Sequence, residues 1–241
     1  MAMGKTRWRS FSNSNSSLFS SDASYSYRHQ IVSKLSYGQI SELEKAISSF
    51  IGHDKLNHKL AQVLALASHN GRVSYEMVDT ITKDDAEEVF MLSYKWRLLV
   101  PLVATRPMDW ENAVMVARPG EIYKMPNIIT YLVKEALING RWDMKSAITE
   151  FFQIIGEPCW YMIPEMVITM INRSIGYRIN AVQIKEIAIE FDLGDRVDPL
   201  IAEMKGAGIL SPRLNLVIEM LKAKAPIYEI NPSLVVKYEE K

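Results

Sequence analysis

Few residues in this sequence are of types that could carry out catalysis, and their spacing does not favour a catalytic site. The four histidines, His29, His53, His58 and His69, all lie in the first third of the chain. His58 and His69 share a predicted helix, but about three helical turns separate them, so they cannot bind one metal ion together. The zinc-protease, nucleophile-elbow, phosphate-loop and dinucleotide-binding motifs do not occur. We therefore predict a protein that is not an enzyme and that holds no cofactor or metal.

Cys159 is the single cysteine, which leaves no partner for a disulfide within the chain and no cysteine cluster for a metal. It stands between Pro158 and Trp160, and no nearby histidine could act as its base. A buried structural thiol is therefore favoured over a nucleophile. One cysteine, no apolar run of about 18 residues and no apolar signal core predict a cytoplasmic protein without a membrane segment.

Basic side chains could bind phosphate, and they are the second group with chemical potential. The chain has 28 basic and 28 acidic residues, which excludes binding of nucleic acid through overall charge and leaves only local patches. For each candidate, the alternative is an ordinary solvated surface of mixed charge. The candidate nucleic-acid-binding residues, on two predicted helices and the hairpins that follow them, are Lys95, Arg97, Arg106, Arg118, Lys124, Arg196, Lys205, Arg213, Lys222 and Lys224.

Acidic residues on the same two helices oppose phosphate binding. Carboxylates near a helix N-terminus stabilise its partial positive charge by about 0.3 to 1 kcal/mol each. They also repel phosphate from the end of the helix that usually approaches the major groove. These residues are Asp84, Asp85, Glu87 and Glu88 in the first helix and Asp195, Asp198 and Glu203 in the second.

Aromatic and methionine side chains cluster between residues 151 and 170. A dense group of this kind is typical of the joint between two domains. The alternatives are an adaptable groove for a protein partner, since methionine repacks around different shapes, and a pocket for a small molecule. The candidate joint residues are Phe152, Trp160, Tyr161 and Met166.

The elements that must position these residues begin after a different kind of segment. Residues 1–37 are rich in serine, sustain no apolar period and carry five basic residues against one acidic residue. This composition predicts a disordered basic arm. The alternatives are a solubilising tail or a partly vector-derived start.

Apolar spacing after the arm predicts helices in a repeated order. Residues 38–126 form the first module, with Ser74 as a helix N-cap and Gly71 at a left-handed helix end. Residues 127–158 form a helical connector that Gly140 interrupts, and residues 159–241 repeat the pattern, with Ile179 in the place of Val73. The predicted elements of the first module are helices at Ile40–Ile51, Leu56–His69, Tyr75–Ile81 and from Asp84 toward Leu99, and a hairpin of Ala113–Ala117 with Ile122–Tyr123.

Two segments of the second module carry a resemblance to a known family. The run VDPLIAEMKGAGILSP from Val197 to Pro212, followed by IYEINPSL from Ile227 to Leu234, resembles the third helix, strand and wing of winged helix-turn-helix proteins. The element order extends the resemblance to the first module. It implies a mainly α fold of two winged-helix modules, each with three helices and a small β-hairpin, joined by the helical connector.

The resemblance implies two kinds of function. Members of the family bind DNA or RNA through the third helix and wing, and others dock proteins in larger assemblies. We predict a DNA-binding transcription regulator with duplex DNA as its partner. The alternatives are a non-catalytic protein-docking module, with a protein partner or self-association, and a small-molecule sensor at the joint. Residues 214–223 depart from the family pattern, because they form an insertion where a short hairpin tip is expected.

Overall fold

Two small antiparallel sheets of three strands each, set among helices, form the framework of the chain. The computed structural model describes residues 36–52, 54–102, 117–213 and 225–235, and each structural statement below refers to these ranges. Helix predominates within them, which confirms the prediction of a mainly helical protein. The elements from Tyr37 onward belong to one compact unit.

Helix α1 (Tyr37–Ile51) begins earlier than its predicted start at Ile40. The Ser36 Oγ accepts a hydrogen bond from the Gln39 backbone N–H at 3.3 Å, and the Gln39 side chain accepts one from the Ser36 N–H at 3.1 Å. This reciprocal capping box starts the helix before its apolar face begins. The predicted arm of residues 1–37 lies outside the described residues except for Ser36 and Tyr37, which belong to this helix and its cap.

The segment that we name the N-terminal repeat, residues 57–124, begins with a buried helix. That helix ends at Gly71 with φ 68°, and Ser74 caps the next one by accepting from the Met77 N–H at 3.4 Å, as predicted. Strand β3 lies between β1 and β2 and runs antiparallel to both. The elements are α2 (Asn57–Asn70), β1 (Arg72–Ser74), α3 (Tyr75–Thr82), a 3₁₀ turn (Lys83–Asp85), α4 (Ala86–Lys95), β2 (Val100–Pro101) and β3 (Ile122–Lys124).

The predicted hairpin of this repeat differs from the observed pairing. Ile122–Lys124 pairs with Val100–Pro101 on one side and with Arg72–Ser74 on the other, so the sheet has three strands. Ala117 lies outside the strands, and the rest of the predicted strand, residues 113–116, lies outside the described residues. Pro101 is compatible with β2 because this strand is at the edge of the sheet and needs no donor on its free side.

Two helices follow, α5 (Asn127–Asn139) and α6 (Met144–Ile154), separated at Gly140 as predicted. The Asp143 carboxylate caps α6 by accepting from the Ser146 N–H at 3.0 Å. Helix α5 packs against α1 and α2 as well as α6. It buries one face, which consists of Ile128, Ile129, Leu132, Val133, Ala136 and Leu137.

The C-terminal repeat, residues 163–230, has the same order of elements and the same order of strands, with β6 between β4 and β5. Asn180 and Gln183 form a second capping box at the start of its middle helix. Residues 214–224, which include the predicted insertion, lie outside the described residues. The elements are α7 (Ile163–Arg173), β4 (Arg178–Asn180), α8 (Ala181–Glu190), a 3₁₀ turn (Gly194–Arg196), α9 (Val197–Ala207), β5 (Leu210–Pro212) and β6 (Ile227–Ile230).

Strand register sets equivalent positions in the two repeats. Lys124 in β3 lies opposite Arg72, and Glu229 in β6 lies opposite Arg178. The sequences IYK (122–124) and IYE (227–229) are therefore equivalent and differ in the charge of the last residue. Val100 pairs with Lys124 in the first sheet, and Ser211 pairs with Glu229 in the second. Arg97 and Gly208 each stand three residues before these paired residues and are therefore equivalent. Both have a left-handed backbone, at φ 54° and 80°.

Candidate functional site

A buried ion pair joins the N-terminal repeat to the C-terminal repeat. Arg97 follows α4 in a left-handed conformation that is uncommon for a residue other than glycine. Its guanidinium lies 3.2 Å from the Glu229 Oε1, and the two side chains are only 10% and 8% exposed. The Arg97 Nη1 also donates to the Tyr94 carbonyl at 2.9 Å. The side chain is thus held by one partner in each repeat.

Asn231 connects the main chain of both repeats. Its fully buried amide group donates to the Gly208 carbonyl at 3.1 Å and to the Arg97 carbonyl at 3.4 Å. These two carbonyls belong to equivalent positions, at the end of the third helix of each repeat. The Asn231 Oδ1 in turn accepts from the N–H and the hydroxyl of Ser233, at 3.1 and 2.8 Å. One buried side chain therefore uses both its donors and its acceptor to fix the junction.

The helices between the repeats also contact the C-terminal repeat. The Trp142 indole N–H donates to the Ser233 carbonyl at 2.9 Å, and the Asn127 side chain donates to the Gly206 carbonyl at 3.1 Å. Gly208 lies so close to Pro126 that an added Cβ would stand 2.5 Å from the proline Cβ. These contacts hold the two repeats in one arrangement.

The predicted joint residues lie elsewhere. Phe152 and Met166 are buried, but they belong to α6 and α7, which pack against each other. Trp160 is half-buried and Tyr161 is 62% exposed. Arg97 makes contacts between the repeats at a polar junction. Glu229 and Asn231 could not be identified as its partners from the sequence, because no local pattern marks a contact between residues so far apart in the chain.

The structure places three predicted phosphate ligands in contacts within the protein. Arg97 and Arg213, predicted to bind nucleic acid from a helix and a hairpin, are both buried, so they do not present a guanidinium group at the surface. Arg196 donates to the Glu157 Oε2 at 2.6 Å, and the Glu157 side chain is fully buried. A guanidinium held in this way contributes little free charge to the surface.

Four other predicted ligands are exposed, namely Lys95, Arg118, Lys124 and Lys205. Arg118 is paired with Glu121 at 2.9 Å. Lys124 lies opposite the exposed Arg72, and within the described residues neither side chain has a carboxylate partner. The three remaining candidates, Arg106, Lys222 and Lys224, lie outside the described residues.

The outer face of α4 is acidic with an apolar centre. Met91 is 56% exposed, and Asp84, Glu87 and Glu88 surround it toward the start of the helix. Lys95 lies on the same side at the end of the helix. The spacing of 87, 88, 91 and 95 places these residues on one face of α4, and Asp84 lies in the 3₁₀ turn that precedes this helix. We name this surface the α4 face.

Glu157, Arg196 and Glu203 form a half-buried charged cluster next to α9. Burial raises the pKa of Glu203, and the nearby Glu157 carboxyl group raises it further by repulsion and by a hydrogen bond. Two carboxyl groups share a hydrogen bond only when one of them carries a proton. The Glu203 carboxyl group therefore keeps its proton to higher pH than an ordinary glutamate does.

Replacing Glu203 by glutamine is expected to raise the melting temperature at pH 7 and to change little below the ordinary pKa of 4.5. The unfolded chain releases this proton near the ordinary pKa and the folded chain releases it later, so wild-type stability falls as pH rises through that interval. Melting curves between pH 4 and 8 measure the difference. Glu190→Gln is the control and should lower the melting temperature at pH 7, because Arg173 lowers the pKa of Glu190. If Glu203→Gln raised the melting temperature equally at pH 4 and at pH 7, the interpretation would be contradicted.

No group of three histidine, cysteine, aspartate or glutamate side chains is placed to hold a metal ion within these residues. Among the described helices, none combines the length and the apolar character needed to cross a lipid bilayer. Cys159, expected to be a buried thiol, is half-buried.

Comparison with known proteins places the chain in a family. No solved structure and no curated protein matches it. A protein-family model matches residues 42–241, which include α1 from its second turn and both repeats. Because this match covers well over half of the chain, the protein belongs to the family that this model describes.

Proposed function

We propose that the protein consists of two winged-helix modules and docks a basic segment of a partner protein on the α4 face, without catalysis. The order helix, strand, helix, helix, strand, strand in each repeat supports the winged-helix assignment, as does the position of the last strand between the other two. The contacts of Arg97 and Asn231 support a rigid pair of modules. Docking on a rigid surface costs little conformational entropy.

The observation that carries the docking proposal is the α4 face. An exposed methionine is an adaptable apolar anchor, and it stands among three carboxylates. A partner segment with an apolar side chain flanked by lysine or arginine would bury Met91 and pair with Glu87 and Glu88. Such charge complementarity selects a basic partner and repels an acidic one.

The same face argues against DNA in the groove-binding position of this helix. Phosphates would meet Asp84, Glu87 and Glu88 at the N-terminal end of α4, where positive charge is required. In the C-terminal repeat, the exposed Asp195, in the 3₁₀ turn, and Asp198, in the first turn of α9, are also acidic, but Ala202 stands where Met91 stands in α4. The apolar anchor is thus specific to the N-terminal repeat.

The test measures binding of a fluorescein-labelled helical peptide that has leucines on one side and lysines on the other, by fluorescence anisotropy. We expect the wild-type protein to bind it and Glu87→Lys/Glu88→Lys to weaken binding about tenfold or more. Asp195→Lys/Asp198→Lys is the matched control on α9 and should leave binding unchanged. Equal weakening by both double variants, or no binding by the wild type, would overturn the proposal. Far-UV circular dichroism checks that each variant is folded.

Binding of duplex DNA is the second candidate function, and the pair of Arg72 and Lys124 favours it. Like charges opposite each other on neighbouring strands are destabilising, so an anion bound between them would relieve the repulsion. In the C-terminal repeat the position of Lys124 is taken by Glu229, which lies opposite Arg178 and gives an oppositely charged pair. Only the N-terminal sheet therefore presents two basic side chains to phosphate at this position.

The DNA hypothesis predicts a change in salt dependence. Replacing both Arg72 and Lys124 by alanine should make the slope of log K against log salt concentration shallower by about 1.8, as expected for two lost phosphate contacts. The control, Lys45→Ala/Lys55→Ala, removes two other exposed lysines and should leave the slope unchanged. Titration of a labelled duplex at several salt concentrations measures both. Identical slopes for the two double variants would exclude this site.

A further inference from the structure

The outer face of α8 carries an apolar line flanked by opposite charges. Val182 is 49% exposed and Ile189 is 57% exposed. With 3.6 residues per turn, these two positions lie along one line of the helix, and the exposed Lys185 and Glu186 lie on either side of it. We name these four residues the α8 face.

The equivalent helix in the other repeat shows that this apolar line is not required by the fold. Aligned on their caps, Ser74 and Asn180, α3 places Glu76 where α8 places Val182. It places Asp79 and Thr80 where α8 places Lys185 and Glu186, and it ends at Thr82, before the position of Ile189. The outer face of α3 is thus polar throughout, as expected for a helix that faces water. The α8 face departs from that expectation at Val182 and at Ile189, which lies in the part of α8 that has no counterpart in α3.

We propose that the α8 face binds a second copy of this chain, with the two α8 helices side by side and nearly parallel. A two-fold axis that runs parallel to both helices places Val182 and Ile189 against the same residues of the second copy. Because this axis exchanges the two sides of the apolar line, Lys185 of each chain meets Glu186 of the other. The crossing angle of about 20° that this arrangement needs is a common one for packed helices.

Self-complementarity is the reason for choosing a second copy over another occupant. The α8 face carries one positive and one negative charge on opposite sides of its apolar line. When two such faces meet in this orientation, each positive charge lies against a negative charge of the other copy. Beside the face, Arg173 pairs with Glu190 at 2.6 Å and also interacts electrostatically with Glu186. The contact extends only from Val182 to Ile189, so we expect a weak, concentration-dependent dimer.

Charge reversal tests the contact in the full-length protein. Lys185→Glu places two glutamates against each other, and Glu186→Lys places two lysines against each other. We expect each variant alone to raise the dimer dissociation constant about tenfold or more in sedimentation equilibrium. An equimolar mixture of the two variants should dimerise again, because every flanking contact then joins a lysine to a glutamate. A purely structural effect of either substitution would not be rescued by mixing.

An apolar substitution and a matched control complete the test. Ile189→Glu should leave a monomer, whereas Ile154→Glu, on a similarly exposed isoleucine of α6, should leave dimerisation unchanged. The inference is overturned if the wild type is monomeric up to millimolar concentration. A mixture of Lys185→Glu and Glu186→Lys that stays monomeric, or an Ile189→Glu variant that dimerises like the wild type, would also overturn it.

Discussion

Replacing Arg97 by alanine is expected to lower the free energy of unfolding by about 3 to 5 kcal/mol, the usual cost of removing one partner of a buried ion pair. The side chains of Arg97 and Glu229 are at most one-tenth exposed, so water cannot replace the missing guanidinium beside Glu229. The hydrogen bond from Arg97 to the Tyr94 carbonyl is lost as well. Urea denaturation of the purified variant, monitored by circular dichroism, measures the change.

Two controls separate the buried pair from the general loss of an arginine. Arg118→Ala breaks the exposed pair with Glu121 and should cost less than about 1 kcal/mol. Arg97→Ala/Glu229→Ala should cost less than the sum of its two single changes, because each single change already removes their common contact. Equal costs for Arg97→Ala and Arg118→Ala would show that the junction contributes no stability.

Replacing Gly208 by alanine is expected to destabilise the protein by about 2 to 4 kcal/mol. About 1 kcal/mol comes from placing a side chain in the left-handed conformation at φ 80°. The rest, about 1 to 3 kcal/mol, comes from the new Cβ, which would stand 2.5 Å from the Pro126 Cβ and force α5 and α9 apart.

Gly71→Ala is the matched control for this experiment. Gly71 also ends a helix, at φ 68°, but a Cβ added there meets no atom within 4 Å. Only the conformational cost of about 1 kcal/mol remains. The difference between the two variants in thermal or urea unfolding therefore measures the contact between Gly208 and Pro126. No difference would mean that this contact relaxes without cost.

The helices of this protein could largely be predicted because their ends depend on neighbours in sequence. Ser74 caps α3, and Gly71 and Gly140 end α2 and α5, as expected, and Asn180 caps α8 in the same way as Ser74 caps α3. A cap needs only a polar side chain and an N–H group two or three residues away. Information of this kind is present in any short window of the sequence.

The strand partners and the junction could not be predicted in the same way. The strand Ile122–Lys124 pairs with β1 and β2, and β1 lies about fifty residues earlier, so its register depends on how the helices pack. Arg97 was assigned to phosphate because its type and its position near a helix end suit that role. Its left-handed backbone and its burial against Glu229 depend on the distant C-terminal repeat.

The amide group of Asn231 makes the halves of the chain interdependent. One donor satisfies the Gly208 carbonyl in its own half and the other satisfies the equivalent Arg97 carbonyl, so the N-terminal repeat does not complete its own hydrogen bonding. Cleavage between α6 and α7 would leave the N-terminal fragment with an uncapped Arg97 carbonyl and an unopposed guanidinium. Although their topologies match, the repeats are thus expected to unfold together in a single cooperative transition.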